Sequence, residues 1–83
     1  MNLSVQGQRV IVTAGASGIG RAIAETLAKA GAKLHICDVD EAALADAKKA
    51  IPGLGITRCD VADAAQVDRL FADAKASLGG LDA

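Results

Sequence analysis

Apolar positions along the chain follow two patterns that take turns. Arg9-Val10-Ile11-Val12-Thr13 is apolar at consecutive positions. That suits a strand covered on both faces, as in a parallel sheet. From Ile19 the spacing becomes helical: Ile19, Ile23 and Leu27 recur every four residues, with Ala22 and Thr26 alongside. Gly31 stands where a left-handed helix C-cap belongs. Lys33-Leu34-His35-Ile36-Cys37 predicts a second strand ending at Asp38. Asp40 can cap a second helix over 41–50, whose acidic start and Lys48-Lys49 end suit the helix dipole. Pro52-Gly53 stops it. Gly55-Ile56-Thr57-Arg58-Cys59 predicts a third strand, more polar and so placed at a sheet edge. Asp63 caps a third helix, with Gln66 as capping-box partner. The apolar stripe of that helix is Val67, Leu70, Phe71, Ala74 and Leu78. Gly79-Gly80 ends the helix, and Leu81-Asp82-Ala83 starts a new element. The order β-α-β-α-β-α predicts a parallel sheet with right-handed crossovers.

Size and composition sharpen this picture. Eighty-three residues make one small domain at most, or part of one, and a domain of that size buries only roughly 60–65% of its unfolded surface. Yet 52% of residues are hydrophobic and only 1% aromatic. The chain therefore has more apolar surface than so few elements cover easily. A net charge of −1 without a basic stripe argues against nucleic acid as the main partner. No apolar run approaches the ~20 residues that span a bilayer. Met1–Gln6 has neither the charged nor the apolar region of a signal peptide. Cys37 and Cys59 lack CxxC or Cys/His spacing, so they are expected as reduced core thiols in a cytoplasmic protein.

The candidate chemistry lies in Thr13-Ala14-Gly15-Ala16-Ser17-Gly18-Ile19-Gly20, which joins the first strand to the first helix. Small residues there let phosphates approach the backbone. The free N–H groups at the helix start favour an anion. Asp38 ends the neighbouring parallel strand and so shares an edge of the sheet with the turn. A carboxylate there can accept hydrogen bonds from the ribose of an adenosine whose pyrophosphate sits on the turn. The bland alternative for Asp38 is a turn residue.

The segment resembles the Thr-Gly-x-x-x-Gly-Ile-Gly turn of the short-chain dehydrogenase/reductase family, and Gly20-Arg21-Ala22-Ile23-Ala24 continues in that style. Asp60-Val61 resembles the family's Asp-Val pair, and Gly80-Leu81-Asp82 the lead-in to its fourth strand. The likeness covers nearly the whole chain and about the first third of the family's length. It implies an α/β Rossmann-type sheet of strand order 3-2-1, cut after the third βα unit. It also implies a cofactor site of Gly15, Ser17, Gly18, Ile19, Gly20, Asp38, Asp60 and Val61, with Asp60-Val61 at the adenine. A loop or cap role is the alternative for Asp60. One departure stands out: Ala14 occupies the family's first glycine position, and its Cβ disfavours positive φ.

The resemblance carries further expectations. Asp38 would repel a 2′-phosphate and Ser17 is neutral, so NAD is expected over NADP; Arg21 is uninformative. The family's catalytic Tyr is missing, since the chain contains no tyrosine, and its Asn-Asn-Ala-Gly segment would come later. The parent is therefore expected to be an oxidoreductase acting on an alcohol or ketone, while these 83 residues alone are inactive. Lys75 and Ser77 read as solvated surface residues and His35 as structural. In the family fold the fourth strand pairs beside the first, and the third helix covers the opposite sheet face from the other two. Without further chain, self-association or disorder of that helix is expected, and the parent is expected to be a homo-oligomer. The rival readings are an S-adenosylmethionine-dependent methyltransferase and a non-enzymatic dinucleotide sensor. A Tyr-x-x-x-Lys beyond residue 83 would mark the enzyme.

Overall fold

The computed structural model describes residues 7–82; the sequence readings on Met1–Gln6 and on Ala83 lie outside them. Three strands, β1 (Arg9–Thr13), β2 (Lys33–Asp38) and β3 (Gly55–Arg58), alternate with three helices, α1 (Gly18–Lys29), α2 (Glu41–Ala50) and α3 (Ala64–Leu78). Both strand pairs are parallel and the order is β1-β2-β3, which is the expected 3-2-1 seen from the other side. Val10 pairs with Leu34 and Val12 with Ile36, which in turn pairs with Ile56. The β3 strand stops one residue earlier than the sequence suggested, but the Cys59 N–H still bonds the Asp38 carbonyl at 3.0 Å.

Helices α1 and α2 cover one face of the sheet. Val10, Ala24, Leu34, Ile36, Leu44 and Ala47 pack there with Ile51 and Leu54. The other face carries α3 over a smaller cluster of Cys37, Cys59 and Leu70, flanked by Ile11 and Val67.

Local chemistry sets the helix ends. After α1, Gly31 is left-handed (φ 93°). The Ala32 N–H bonds the Leu27 carbonyl and the Gly31 N–H the Ala28 carbonyl, each at 3.0 Å, which forms a Schellman motif. Asp40 caps α2 through the Ala43 N–H (3.1 Å). Asp63 caps α3 through the N–H groups of Ala65 and Gln66. Gln66 departs from a capping box, because the Asp63 N–H is already taken by the Asp60 carbonyl. Its Oε1 instead accepts from the Asp60 N–H at 2.9 Å, so the side chain pins the loop before the helix.

The apolar stripe of α1 meets the core only at its C-terminal end, where Leu27 packs. Ile19 is 81% and Ile23 48% exposed, and the fully buried residue is Ala24. Small residues face inward because the helix lies close to the turn: a Cβ at Gly20 would collide with the Ala14 carbonyl oxygen. Phe71, in the apolar stripe of α3, is 42% exposed.

After α3 the chain returns to the side of β1 away from β2. There the Asp82 N–H bonds the Arg9 carbonyl (2.8 Å). The Asp82 carboxylate accepts from the Arg9 N–H (2.8 Å) and guanidinium (3.0 Å). Hydrogen bonding and charge hold the Asp82 carboxyl below, and the Arg9 guanidinium above, their ordinary ranges.

Candidate functional site

The site forms where β1 and β2 end side by side. All strands are parallel, so the tips of β1, β2 and β3 share one edge, the edge at which open α/β sheets bind ligands. At that edge Ala14 takes φ 52°, a conformation that costs a non-glycine residue roughly 1–2 kcal/mol. The departure noted in the sequence is thus met by strain at Ala14. Gly15 serves a different need. Its N–H bonds the Cys37 carbonyl (3.1 Å), and a Cβ on it would lie 2.9 Å from Ile36 Cβ. Gly15 therefore lets the turn lie flat on β2.

Ser17 caps α1 in extended conformation (φ −151°, ψ 167°) without a side-chain capping bond, which leaves its hydroxyl free to meet a ligand. Gly18 has φ 60° and open space where a Cβ would be. The first intrahelical bond runs from the Arg21 N–H to the Ser17 carbonyl (3.2 Å). The amides of Gly18, Ile19 and Gly20 therefore open the helix without an intrahelical acceptor. No acidic residue lies in the first turn of α1, so its positive dipole end is uncompensated within the helix.

Asp38 stands against this turn. Its Oδ2 accepts from the Ala16 N–H at 3.3 Å and its Oδ1 from the Asp40 N–H at 3.2 Å. A carboxylate has about four acceptor positions, so each oxygen keeps capacity for a hydroxyl donor. Beside Asp38 lies a cleft of ≈ 120 Å³ lined by Ala14, Cys37, Asp38, Val39, Asp60 and Val61, among others. Val39 and Val61 are both more than half exposed and offer apolar walls to a flat ring. Asp60 also orders its own loop, with Oδ1 accepting from the Ala62 N–H (3.0 Å). Beneath the cleft, burial is the main influence pushing the Cys37 thiol above its ordinary range. Arg21, at the mouth of the turn, is committed to Glu25 (2.9 Å) and to Asp46 of α2 (3.1 Å).

All eight residues singled out in the sequence thus sit on one edge of the sheet. Two groups along that edge were missed: the Ala16 N–H, which ties Asp38 to the turn, and Val39. The alternation of strand residues could have flagged Val39, one position past the end of β2. A larger groove of ≈ 520 Å³ lies elsewhere, among Ala28, Ala32, Leu34, Ile51, Leu54 and Leu78. It borders helix C-termini, whose carbonyls repel anions, so its size does not make it the better anion site.

Residues 8–83 match the family model described as short chain dehydrogenase. The chain belongs to the short-chain dehydrogenase family. Among its relatives, a 2,5-dichloro-2,5-cyclohexadiene-1,4-diol dehydrogenase of Sphingobium indicum is 40% identical over 79 residues, covering 94% of this chain and 32% of the relative. An uncharacterized oxidoreductase, DltE, of Bacillus subtilis is 36% identical over 69 residues, covering 83% of this chain and 27% of the relative. A short-chain dehydrogenase/reductase from Burkholderia phymatum, solved in complex with NAD, superposes with a TM-score of 0.90 at 34% identity; the match covers 96% of this chain and 30% of that one. The chain thus spans about a third of the length of these short-chain dehydrogenases or less.

Proposed function

We propose that this chain binds the adenosine and diphosphate portion of NAD within a short-chain dehydrogenase that acts on an alcohol or ketone. The observation that carries the reading is the Asp38 carboxylate held 3.3 Å from the Ala16 amide, next to the open amides of α1. In this arrangement Gly18, Ile19 and Gly20 meet the diphosphate, with Ser17 beside them. Asp38 accepts from the adenosine ribose, and the ring lies between Val39 and Val61, above Asp60. The fit rests on the space left by Gly18, the unpaired helix amides and the spare acceptor capacity of Asp38. When bound, the nicotinamide accepts or delivers a hydride. With no tyrosine in the sequence, we assign the acid–base chemistry of the family to residues beyond these 83. A sample of this chain alone then forms no NADH from alcohols.

Preference for NAD over NADP follows from charge. A 2′-phosphate would approach Asp38, and like charges about 4 Å apart cost roughly 1–4 kcal/mol at effective dielectrics of 80 to 20. Arg21, paired with Glu25 and Asp46, is not free to offset this. Calorimetric titration is expected to give NAD about tenfold or more tighter binding than NADP, and Asp38→Asn should narrow the gap. Equal or tighter NADP binding by the native sequence defeats the proposal.

Among the described residues no helix is long and apolar enough to cross a membrane, and we place the protein in the cytoplasm with Cys37 and Cys59 as thiols. We further propose that the exposed Ile19, Ile23 and Phe71 drive self-association of this chain when it is alone. Light scattering should report species larger than a monomer; a monodisperse monomer across concentrations refutes this.

A further inference from the structure

The α3 side of the sheet holds a chain of polar groups with no part in the candidate site. His35 of β2 is 3% exposed and Thr57 of β3 is likewise buried. His35 Nε2 lies 2.7 Å from Thr57 Oγ1, and that hydroxyl donates to Asp73 Oδ2 of α3 at 3.1 Å. The direction of the chain fixes the histidine tautomer. A carboxylate only accepts and a hydroxyl has one proton, so Thr57 spends its proton on Asp73 and must accept from His35. The ring is then protonated at Nε2, and Nδ1 carries a lone pair. That Nδ1 is buried and has no hydrogen-bond partner. It lies over Gly55, where a Cβ would collide with it and would sit 2.8 Å from Ser77 Oγ. Ser77 is one turn beyond Asp73, so both ends of the ring face α3.

We propose that Asp73, Thr57 and His35 form an acid-sensitive latch that holds α3 on the sheet and is closed while Nδ1 is unprotonated. Protonation would place an N–H and a positive charge at a buried atom that has no hydrogen-bond partner. The charges facing the ring are Asp73 from α3 and Lys48 from α2. From β1 the register partner is Ile11, and β3 contributes Gly55 and Thr57. Burial is the dominant influence and pushes the imidazole below its ordinary value; Asp73 opposes this and Lys48 adds to it. A base with a lowered folded pKa stabilises the fold above its unfolded value of about 6.5, and that stability is lost as pH falls toward the folded value. The loss concentrates on α3, whose buried apolar contacts are few: Leu70 and Ala74 are its only fully buried residues. Because α3 follows the Asp60–Asp63 loop, its release also loosens one wall of the cleft. The latch stands whatever occupies that cleft.

The sequence contains a single histidine, so nitrogen NMR of the protein labelled in its imidazole reads the tautomer directly. At neutral pH we expect a protonated Nε2 and a bare Nδ1. On acidification the amides of 70–77 should shift with the midpoint of the ring, ahead of those in α1. Asp73→Asn lets the new amide donate to Thr57, whose proton can then turn to His35. The Nδ1-protonated form should rise, and the ring midpoint should fall as the favourable charge is lost. An Nδ1-protonated ring in the native sequence overturns the proposal, and this measurement needs no variant to fold. So do α3 amides that stay unmoved through the ring titration. Neither result bears on dinucleotide binding.

Discussion

The two faces of the sheet are built on different principles. Under α1 and α2 the contacts are aliphatic and closely spaced, with Ile36 and Ala24 fully buried. Under α3 the buried groups are two thiols, Leu70 and Ala74 of the helix itself, and the His35–Thr57 pair, and Phe71 projects to solvent at 42% exposure. The first face depends on area removed from water, the second on a few directed contacts. Directed contacts respond to proton concentration, and aliphatic packing does not. The difference also reaches the candidate site. The turn and Asp38 rest on the aliphatic side through Gly15 on Ile36, whereas Asp60 and Val61 precede α3.

Paired truncations should separate the faces. Ile36→Ala removes a fully buried side chain at the centre of the sheet and should cost about 2–5 kcal/mol, seen as collapse of the whole denaturation transition. Leu70→Ala should fall near the lower end of that range. It should also expose α3 amides to hydrogen exchange while leaving those of β1 and β2 protected. Equal, global losses from both would show that the faces are one cooperative unit. A smaller effect is expected from Gly20→Ala. The added methyl meets the Ala14 carbonyl, and overpacking of this kind typically costs about 1–3 kcal/mol. Because the shift falls on the turn, dinucleotide affinity should drop as well; unchanged affinity would mean that the turn does not hold the diphosphate.

The elements themselves were legible because their signals are local. Asp40, Asp63 and Gly31 act within a few residues of the helix ends they define. The parallel sheet and the placing of Asp38 beside the turn follow from the alternation of elements, whereas the strand order came with the family resemblance. The direction of the α1 stripe was not legible: periodicity tells that Ile19, Ile23 and Leu27 share a side, not what that side meets. The side that meets the sheet is chosen by Gly20 and Ala24, whose small size permits close approach. The His35 network was missed for a related reason. Its partners lie 22 and 16 residues apart, and no short motif links them. Two weak signals were present. Residues 35, 37, 57 and 59 share a sheet face by strand parity, and Asp73 and Ser77 share a helix face. Together they would have pointed to Asp73 as a partner for the buried pair, while Ser77 is exposed, as the sequence suggested.

The central claim is that the amides opening α1 and the Asp38 carboxylate hold an adenosine diphosphate group at the strand tips. Backbone amide NMR during titration with ADP-ribose tests it most directly. The account predicts the largest shifts at Gly18, Ile19 and Gly20, with smaller ones at Asp38, Val39, Asp60 and Val61. Shifts gathered instead around Ile51–Leu54 and Leu78, at the larger groove, would contradict it.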